Sequence, residues 1–266
     1  GSIPISVNLI RRLSPDSLSV MEFKTPLDVI IAEKMLIFPL LGEEIPGKWN
    51  LRLTREFDMT NDSHLFKDRP ANGRLPLYEG KMIWQFVHKY VEPRYWVEEK
   101  AGRKALFGRE VDDGARLAYQ GFRLGFRDIT ASTNERTMIS TVIPPMVFAG
   151  NTLVVSTLPT DNAQLRVIAS LRNSIVVEYV IRQKITSHCN MFYVYQLPIP
   201  RLTSADFEFA KIAERAAQLI CTTAEFDDLA KEVGLKGHKN GVTDPSERAK
   251  LRAELDGLVA HLYGLT

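Results

Sequence analysis

Residues 75–90 read LPLYEGKMIWQFVHKY, and the reading of their centre decides the fold. Leu75, Leu77, Met82 and Ile83 form a strand-like run that is broken by Glu79-Gly80-Lys81. Glycine lets a backbone bend sharply and approach a neighbour closely, so a turn is predicted at Gly80, with Lys81 projecting beside Tyr78 and Trp84. A mobile cation between flat aromatic faces suits a surface that grips an anionic polymer. The same residues also describe a plain β-hairpin, and the rest of the chain has to separate the two.

Outward from this turn, residues 49–158 follow a period of two in short runs punctuated by glycine, proline and Asn-Asp clusters. That pattern predicts many short strands, near 49–57, 77–86, 94–97, 117–127, 137–143 and 152–157. The loop 98–116 carries Lys100, Arg103, Lys104, Arg109 and Arg116 and is too charged for a core; loops of that length are usually functional or mobile. On the N-terminal side, residues 8–24 read as an irregular or strand-bearing lead-in. Thr25-Pro26-Leu27-Asp28 then has the capping-box spacing of a helix start, and the helix should run to about residue 38, before Pro39 and Gly42.

On the C-terminal side, residues 161–185 return to helical spacing, with Asn173-Ser174 marking a break between two helices. A strand is predicted at 190–196, followed by the stiff connector Leu197-Pro198-Ile199-Pro200. Three helix starts come next, at Thr203 with Asp206, Thr222 with Glu225 and Asp244 with Glu247, each an acceptor followed three residues on by a carboxylate. The last helix aligns Leu251, Leu255, Leu258 and Leu262 and should stop at Gly264, so one face packs against something. The expected class is α+β: a lead-in and helix over 1–48, a mainly β domain with long loops over 49–200 with inserted helices at 161–185, and a C-terminal helical bundle over 201–266.

Composition bounds the function. With 45% apolar and 25% charged residues in 266, the chain can bury a core without staples. The best apolar run, 29–41, is split by Glu33-Lys34, so no membrane span is predicted. Two cysteines, Cys189 and Cys221, have no metal or redox spacing, and no signal peptide is recognisable; a reducing, cytoplasmic setting fits. Gly1-Ser2 reads as a cloning scar, and on that reading the chain is expected to be a piece of a longer polypeptide. The net charge of +2 is unevenly spread: residues 1–80 carry 10 basic and 11 acidic groups, 81–136 carry 11 and 8, 162–201 carry 5 and 1, and 203–266 carry 8 and 11. A basic middle between acidic ends is what contact with a phosphate backbone requires.

Catalytic signatures fail on inspection. Ile143-Pro144-Pro145-Met146 approaches the Asp/Asn-Pro-Pro-Tyr/Phe motif of amino-group methyltransferases, but Ile143 cannot accept from an amine and Met146 cannot stack on a base. Pro15-Asp16 followed by Glu22-Phe23-Lys24 spells the pattern of metal-dependent nucleases, with a gap too short for two neighbouring strands to place both acids on one metal. His64, His88, His188, His238 and His261 show no zinc spacing, and neither a nucleophile elbow nor a phosphate loop occurs. By itself the chain is expected to be non-catalytic.

Six stretches occur together in a familiar order. They are Trp49 with Arg55-Glu56-Phe57-Asp58-Met59-Thr60-Asn61-Asp62-Ser63; Leu77 to Ile83; Arg127-Asp128 with Thr133-Asn134-Glu135-Arg136-Thr137; Asn173-Ser174 with Arg182-Gln183; Leu197-Pro198-Ile199-Pro200; and Arg252-Ala253-Glu254-Leu255-Asp256 with Leu262-Tyr263-Gly264. From Trp49 to its end the chain resembles the C-terminal region of type IIG restriction–modification enzymes, which are large adenine-specific DNA methyltransferases, including their TaqI-like specificity domain. The resemblance implies that this chain selects a sequence in double-stranded DNA. It also implies an N-terminal methyltransferase domain of the same polypeptide, using S-adenosylmethionine, with or without a nuclease; no cofactor is expected here. Where the family commonly has His and Asp, this chain has Trp84 and Val87, so polar contacts at those positions do not carry over.

The family's base readers vary with the target, so site residues follow from reach and chemistry. Lys81 at the bend, with Arg103, Lys104 and Arg109 in the long loop, are expected to clamp phosphates. Arg123, Arg127, Asn134 and Arg136 are expected at base edges, where arginine offers a fork to guanine and asparagine one to adenine. Each arginine has the alternative of an ordinary salt bridge, such as Arg127 with Asp128 or Arg136 with Glu135. Thr60-Asn61-Asp62-Ser63 reads as a turn. Two other functions compete with DNA recognition: a nuclease using Asp16, Glu22 and Lys24, and an interaction module docking a partner subunit through the leucine face of the last helix.

Overall fold

The computed structural model describes residues 3–15, 21, 23–157 and 161–265. The lead-in forms a helix, α1 (Val7–Leu13), and not the irregular or strand-bearing segment that the sequence suggests. Ser6 caps it by accepting from the Leu9 amide at 3.1 Å, and the i, i+4 pair Leu9 and Leu13 is buried. Helix α2 (Pro26–Met35) starts as predicted, with Asp28 Oδ2 accepting from the Thr25 amide at 2.7 Å. It ends at Met35, and Pro39 keeps the chain extended beyond it.

The alternating region builds two four-stranded sheets from strands of two to five residues, shorter than the sequence pattern suggests. In chain order the strands are β1 (Leu53–Thr54), β2 (Phe66–Lys67), β3 (Arg74–Tyr78), β4 (Tyr95–Glu98), β5 (Arg123–Arg127), β6 (Ser140–Ile143), β7 (Phe148–Ala149) and β8 (Leu153–Ser156). One sheet runs β1-β8-β5-β6, all antiparallel; the other runs β2-β4-β3-β7, with β3 and β7 parallel. The charged stretch after β4 is not a loop throughout, because its first half folds into α3 (Glu99–Phe107). Gly102 lets that helix approach Phe148, where a Cβ would sit 2.6 Å from the ring. Helix α3 ends at Gly108, whose φ of 63° is a value that glycine adopts without the strain of a side chain.

Both faces of the first sheet are covered, which is why its strands look continuously apolar. Leu124, Phe126, Val142 and Val154 face the large helical core, while Ile143, Leu153 and Val155 face a second cluster with Tyr78, Met82 and Ile83. A third cluster, Phe57, Leu77, Val97, Tyr119 and Phe148, lies in the second sheet.

The predicted pair of helices is present as α4 (Asn162–Asn173) and α5 (Ile175–Lys184), broken at Ser174. The break is held from three sides. Asn173 exchanges two hydrogen bonds with the Ser140 backbone, donating at 2.7 Å and accepting at 2.9 Å. Ser174 caps α5 through the Val177 amide, and Asp256 Oδ1 accepts from the Ile175 amide at 2.8 Å. The strand expected at 190–196 is instead a short helix, α6 (Met191–Tyr195), because Asn190 accepts from the Tyr193 amide and starts a turn.

The Leu197–Pro200 connector runs antiparallel to residues 39–42: the Leu41 amide donates to Leu197 O at 2.7 Å and the Ile199 amide to Pro39 O at 2.9 Å. Arg201 donates to the carbonyls of Leu40, Leu41 and Glu43 and lies over the Trp49 ring, whose Nε1 donates to Leu202 O. One buried cluster therefore draws on Leu9, Met35, Trp49, Phe126, Ile199 and Tyr263, crossing both 48/49 and 200/201.

The C-terminal region holds α7 (Phe207–Ile220), α8 (Asp227–Lys231) and α9 (Pro245–Leu262). Asp206, not Thr203, is the N-cap of α7; Thr203 instead donates its amide and hydroxyl to the Asp206 carboxylate. Where Thr222 was expected to cap a helix, Thr223 precedes a one-turn 3-10 helix (Ala224–Phe226) ahead of α8, and Asp244 caps α9 as predicted. The buried residues of α9 are Leu255 and Val259, followed by Tyr263, packed against α7 and α5 of the same chain. Of the face expected to dock a partner subunit, Leu255 is buried and Leu251, Leu258 and Leu262 are half-buried against the same core. Among the described residues no helix is long and apolar enough to cross a membrane.

Candidate nucleic-acid interface

Gly80 opens a single 3-10 turn, Gly80–Met82. Its amide donates to Thr152 Oγ1 at 3.0 Å, and a Cβ there would overlap the Thr152 carbonyl oxygen. Glycine is required by this close approach to the chain itself. Lys81 leaves the turn with its side chain 56% exposed, paired to Glu79 at 3.0 Å. The Glu79 side chain is only 14% exposed, so the ammonium, itself open to solvent, partly neutralises a largely buried carboxylate.

Arg127 sits on the inner side of this turn. Its Nε donates to Gly80 O at 3.0 Å and its Nη2 to Ile83 O at 2.7 Å, and the guanidinium lies 5.5 Å from the Trp84 ring centroid. Burial lowers its pKa from the ordinary arginine value. Arg127 is a clamp on the turn rather than a group free to read a base edge. It is not paired with Asp128, which accepts from Arg55 at 3.0 Å.

Arg123 is a plainer correction: its exposure is 0%. It pairs with Glu56 and donates to Val147 O, while the other Glu56 oxygen accepts from the Ala149 amide at 2.8 Å. Inside the fold it holds β5, β7 and the chain beside β1 together and cannot reach DNA. Asp58 does similar work one turn on, accepting from the Thr60 and Asn61 amides, so 60–63 is the turn the sequence predicts.

The 130–137 loop is framed from behind by α5. Buried Glu178 accepts from the Thr137 and Met138 amides, each at 2.8 Å. Arg182 pairs with Glu178 and donates to Ser132 O and Glu135 O, each at 2.9 Å. Held in this way, the loop exposes Asn134, whose Nδ2 donates to Thr130 Oγ1 at 3.3 Å. Half-buried Arg136 lines a narrow cleft with Gln85, Phe86, Arg252 and Asp256, so the 130–137 loop adjoins the turn region at 84–87. Burial raises the Asp256 carboxyl pKa, opposed by the bond from Ile175 and by Arg136 and Arg252.

Arg103, Lys104 and Arg109 form a separate group on and after α3. Arg103 is engaged, bonded to Asp112 at 2.7 Å, Ala115 O at 2.6 Å and Gln120 at 3.3 Å, and ties the stretch after α3 back to the helix. Lys104 and Arg109 are exposed. Lys81 thus stands on the turn that Arg127 clamps, Arg136 lines the cleft beside Gln85 and Phe86, Asn134 is exposed on the 130–137 loop, Arg103 and Lys104 belong to α3, and Arg123 is buried. The frame residues Glu178 and Asp256 had no signal in the sequence beyond helical position, since their partners are backbone amides. The Asp16 and Glu22 of the nuclease pattern lie outside the described residues. Among those described, no group of three or more His, Cys, Asp or Glu is placed to hold a metal. A cavity of about 510 Å³ lined by Arg11, Arg12, Leu41, Leu51, Phe192 and Tyr195 contains none of the predicted residues.

No family model and no curated protein matches the chain. Among solved structures it is similar to the type IIL restriction–modification enzyme MmeI in complex with DNA, at 9% identity over 86% of this chain and 34% of that one, with a TM-score of 0.43. It is similar to the type IIG restriction endonuclease BpuSI at 11% identity over 90% of this chain and 34% of that one, with a TM-score of 0.46. It is also similar to the HsdS subunit from Thermoanaerobacter tengcongensis, at 14% identity, 90% and 51% coverage and a TM-score of 0.33. The chain spans 34% of the length of the first two proteins.

Proposed function

We propose that this chain is the target-recognition region of a type IIG-like restriction–modification enzyme and binds double-stranded DNA. The observation that carries the reading is the division of labour among its motif residues. Glu56, Asn173, Arg127 and Asp256 are bonded to backbone and hold the scaffold, whereas Lys81, Asn134 and Arg136 stand on the turn and the loop that this scaffold fixes. A fixed scaffold presenting an exposed ammonium, an amide and a guanidinium is what phosphate clamping and base-edge readout need. In this reading residues 49–200 carry the DNA surface, with Lys104 and Arg109 as outlying phosphate contacts, and 1–48 and 201–266 brace it. Methyl transfer from S-adenosylmethionine belongs to another part of the parent polypeptide. No observation favours the interaction module: on its proposed face Leu255 is buried, and Leu251, Leu258 and Leu262 are partly buried against the same core.

Fluorescence anisotropy of labelled duplex DNA, titrated with the chain over a range of salt without magnesium, tests the proposal. Binding should weaken steeply with salt, with a log–log slope of about −0.9 per neutralised phosphate. Lys81→Ala with Arg136→Ala should weaken binding and flatten the slope. An absence of binding at every salt concentration, also in a longer polypeptide that includes the methyltransferase, would overturn it.

A further inference from the structure

Residues 82–91 hold a surface aromatic in a way that the core does not require. Trp84 and Val87 exchange backbone hydrogen bonds at 2.9 and 3.0 Å, closing a tight turn with Gln85 and Phe86 at its corners. Phe86 has φ 62°, in the left-handed region where a bulky residue is strained. The conformation persists because its ring is 3% exposed, its amide donates to Ser140 O at 3.1 Å, and Gln85 Nε2 donates to Met138 O and Asn173 O, each at 3.2 Å. The chain then returns, and the Tyr90 amide donates to Met82 O at 2.8 Å.

The product of this construction is at the surface. Tyr90 is 63% exposed, its ring stacked on Trp84 at 5.7 Å and 30°, while the Arg127 guanidinium backs the Trp84 ring and fixes the turn below it. Lys81 and Lys89 are exposed in the same segment, Lys81 paired with the largely buried Glu79 and Lys89 with the exposed Glu92. Single exposed aromatics are common and need no explanation. An exposed ring pinned at its own amide and stacked on a second ring, with exposed lysines in the same segment, is a preorganised stacking platform.

We propose that Tyr90, supported by Trp84, stacks on a nucleobase unstacked from the bound duplex. The proposal rests on the DNA-recognition reading and adds a contact that is sequence-tolerant, because every base has a π-face. Stacking of this kind weakens binding by roughly 5- to 150-fold when the aromatic is replaced by alanine.

The test uses the chain with two duplexes, one fully paired and one carrying a single unpaired 2-aminopurine, titrated with wild type, Tyr90→Phe and Tyr90→Ala. Wild type should bind the unpaired-base duplex more tightly and quench the 2-aminopurine. Tyr90→Phe should retain both effects, and Tyr90→Ala should lose both while keeping the salt slope on paired DNA. Equal quenching by wild type and Tyr90→Ala, with duplex binding intact, would overturn the stacking role and leave DNA recognition standing. Absence of binding to either duplex by wild type, in the longer polypeptide as well, would overturn both.

Discussion

Removing the Glu178 carboxylate should loosen the 130–137 loop by an amount that the geometry fixes. Glu178 accepts from two buried amides at 2.8 Å, Thr137 and Met138, and among the described residues no other acceptor is placed for either. A buried donor left unsatisfied costs about 1–3 kcal/mol, so Glu178→Ala should cost about 3–5 kcal/mol once the Arg182 partner is also lost. Glu178→Gln keeps one acceptor and turns a donor toward the other amide; its cost should be about 1.5–3 kcal/mol. Against a total stability of about 5–15 kcal/mol, both losses are measurable and the smaller one leaves the protein folded. Urea unfolding gives the change in midpoint at constant slope, and amide exchange at Thr137 and Met138 locates it. Anisotropy should show weaker DNA binding by Glu178→Gln, because Asn134 and Arg136 ride on the loosened loop. A Glu178→Ala change under 0.5 kcal/mol, or unchanged exchange at the two amides, would refute the frame.

Three other outcomes follow from the same geometry. Arg123→Met, which strands Glu56 as a buried charge, should destabilise by about 3–5 kcal/mol in thermal or urea unfolding. Gly80→Ala should lower the melting temperature, because the added Cβ meets the Thr152 carbonyl oxygen. His88 is buried against Tyr78 and Phe226, and burial lowers its pKa to about 4 from 6.5, with Glu225 opposing. Between those values the unfolded chain binds the proton and the folded one does not, so stability falls as pH drops from 6.5 toward 4, by about 3 kcal/mol. Unfolding of His88→Phe should lack that part of the acid dependence.

Capping and periodicity made much of the fold legible. Thr25 with Asp28, Asp244 with the Ser246 and Glu247 amides, and the break at Asn173-Ser174 are local signals, and each lies where the sequence places it. The errors arise where a local pattern fits two structures. Aromatic and β-branched residues at 191–195 look like a strand, but one asparagine cap turns them into a helix. The charged residues after β4 look like a loop, yet Gly102 docks them as a helix on Phe148.

The candidate site was legible in composition but not in role. Arg123, Arg127 and Arg136 read alike in the sequence, and only their partners separate a buried ion pair, a clamp on a turn and a cleft-lining cation. Lys81 could be singled out because it follows a glycine bend. Tyr90 could not, since its exposure depends on the strained turn at Phe86, a consequence of tertiary packing.

The most direct test of DNA recognition is selection from a randomised duplex pool by the chain at low salt, followed by sequencing of what is retained. The account predicts that one short motif is enriched, and that Asn134→Ala or Arg136→Ala relaxes it at a single position by about 1–3 kcal/mol. Retention without enrichment, or enrichment unchanged by both substitutions, would contradict it.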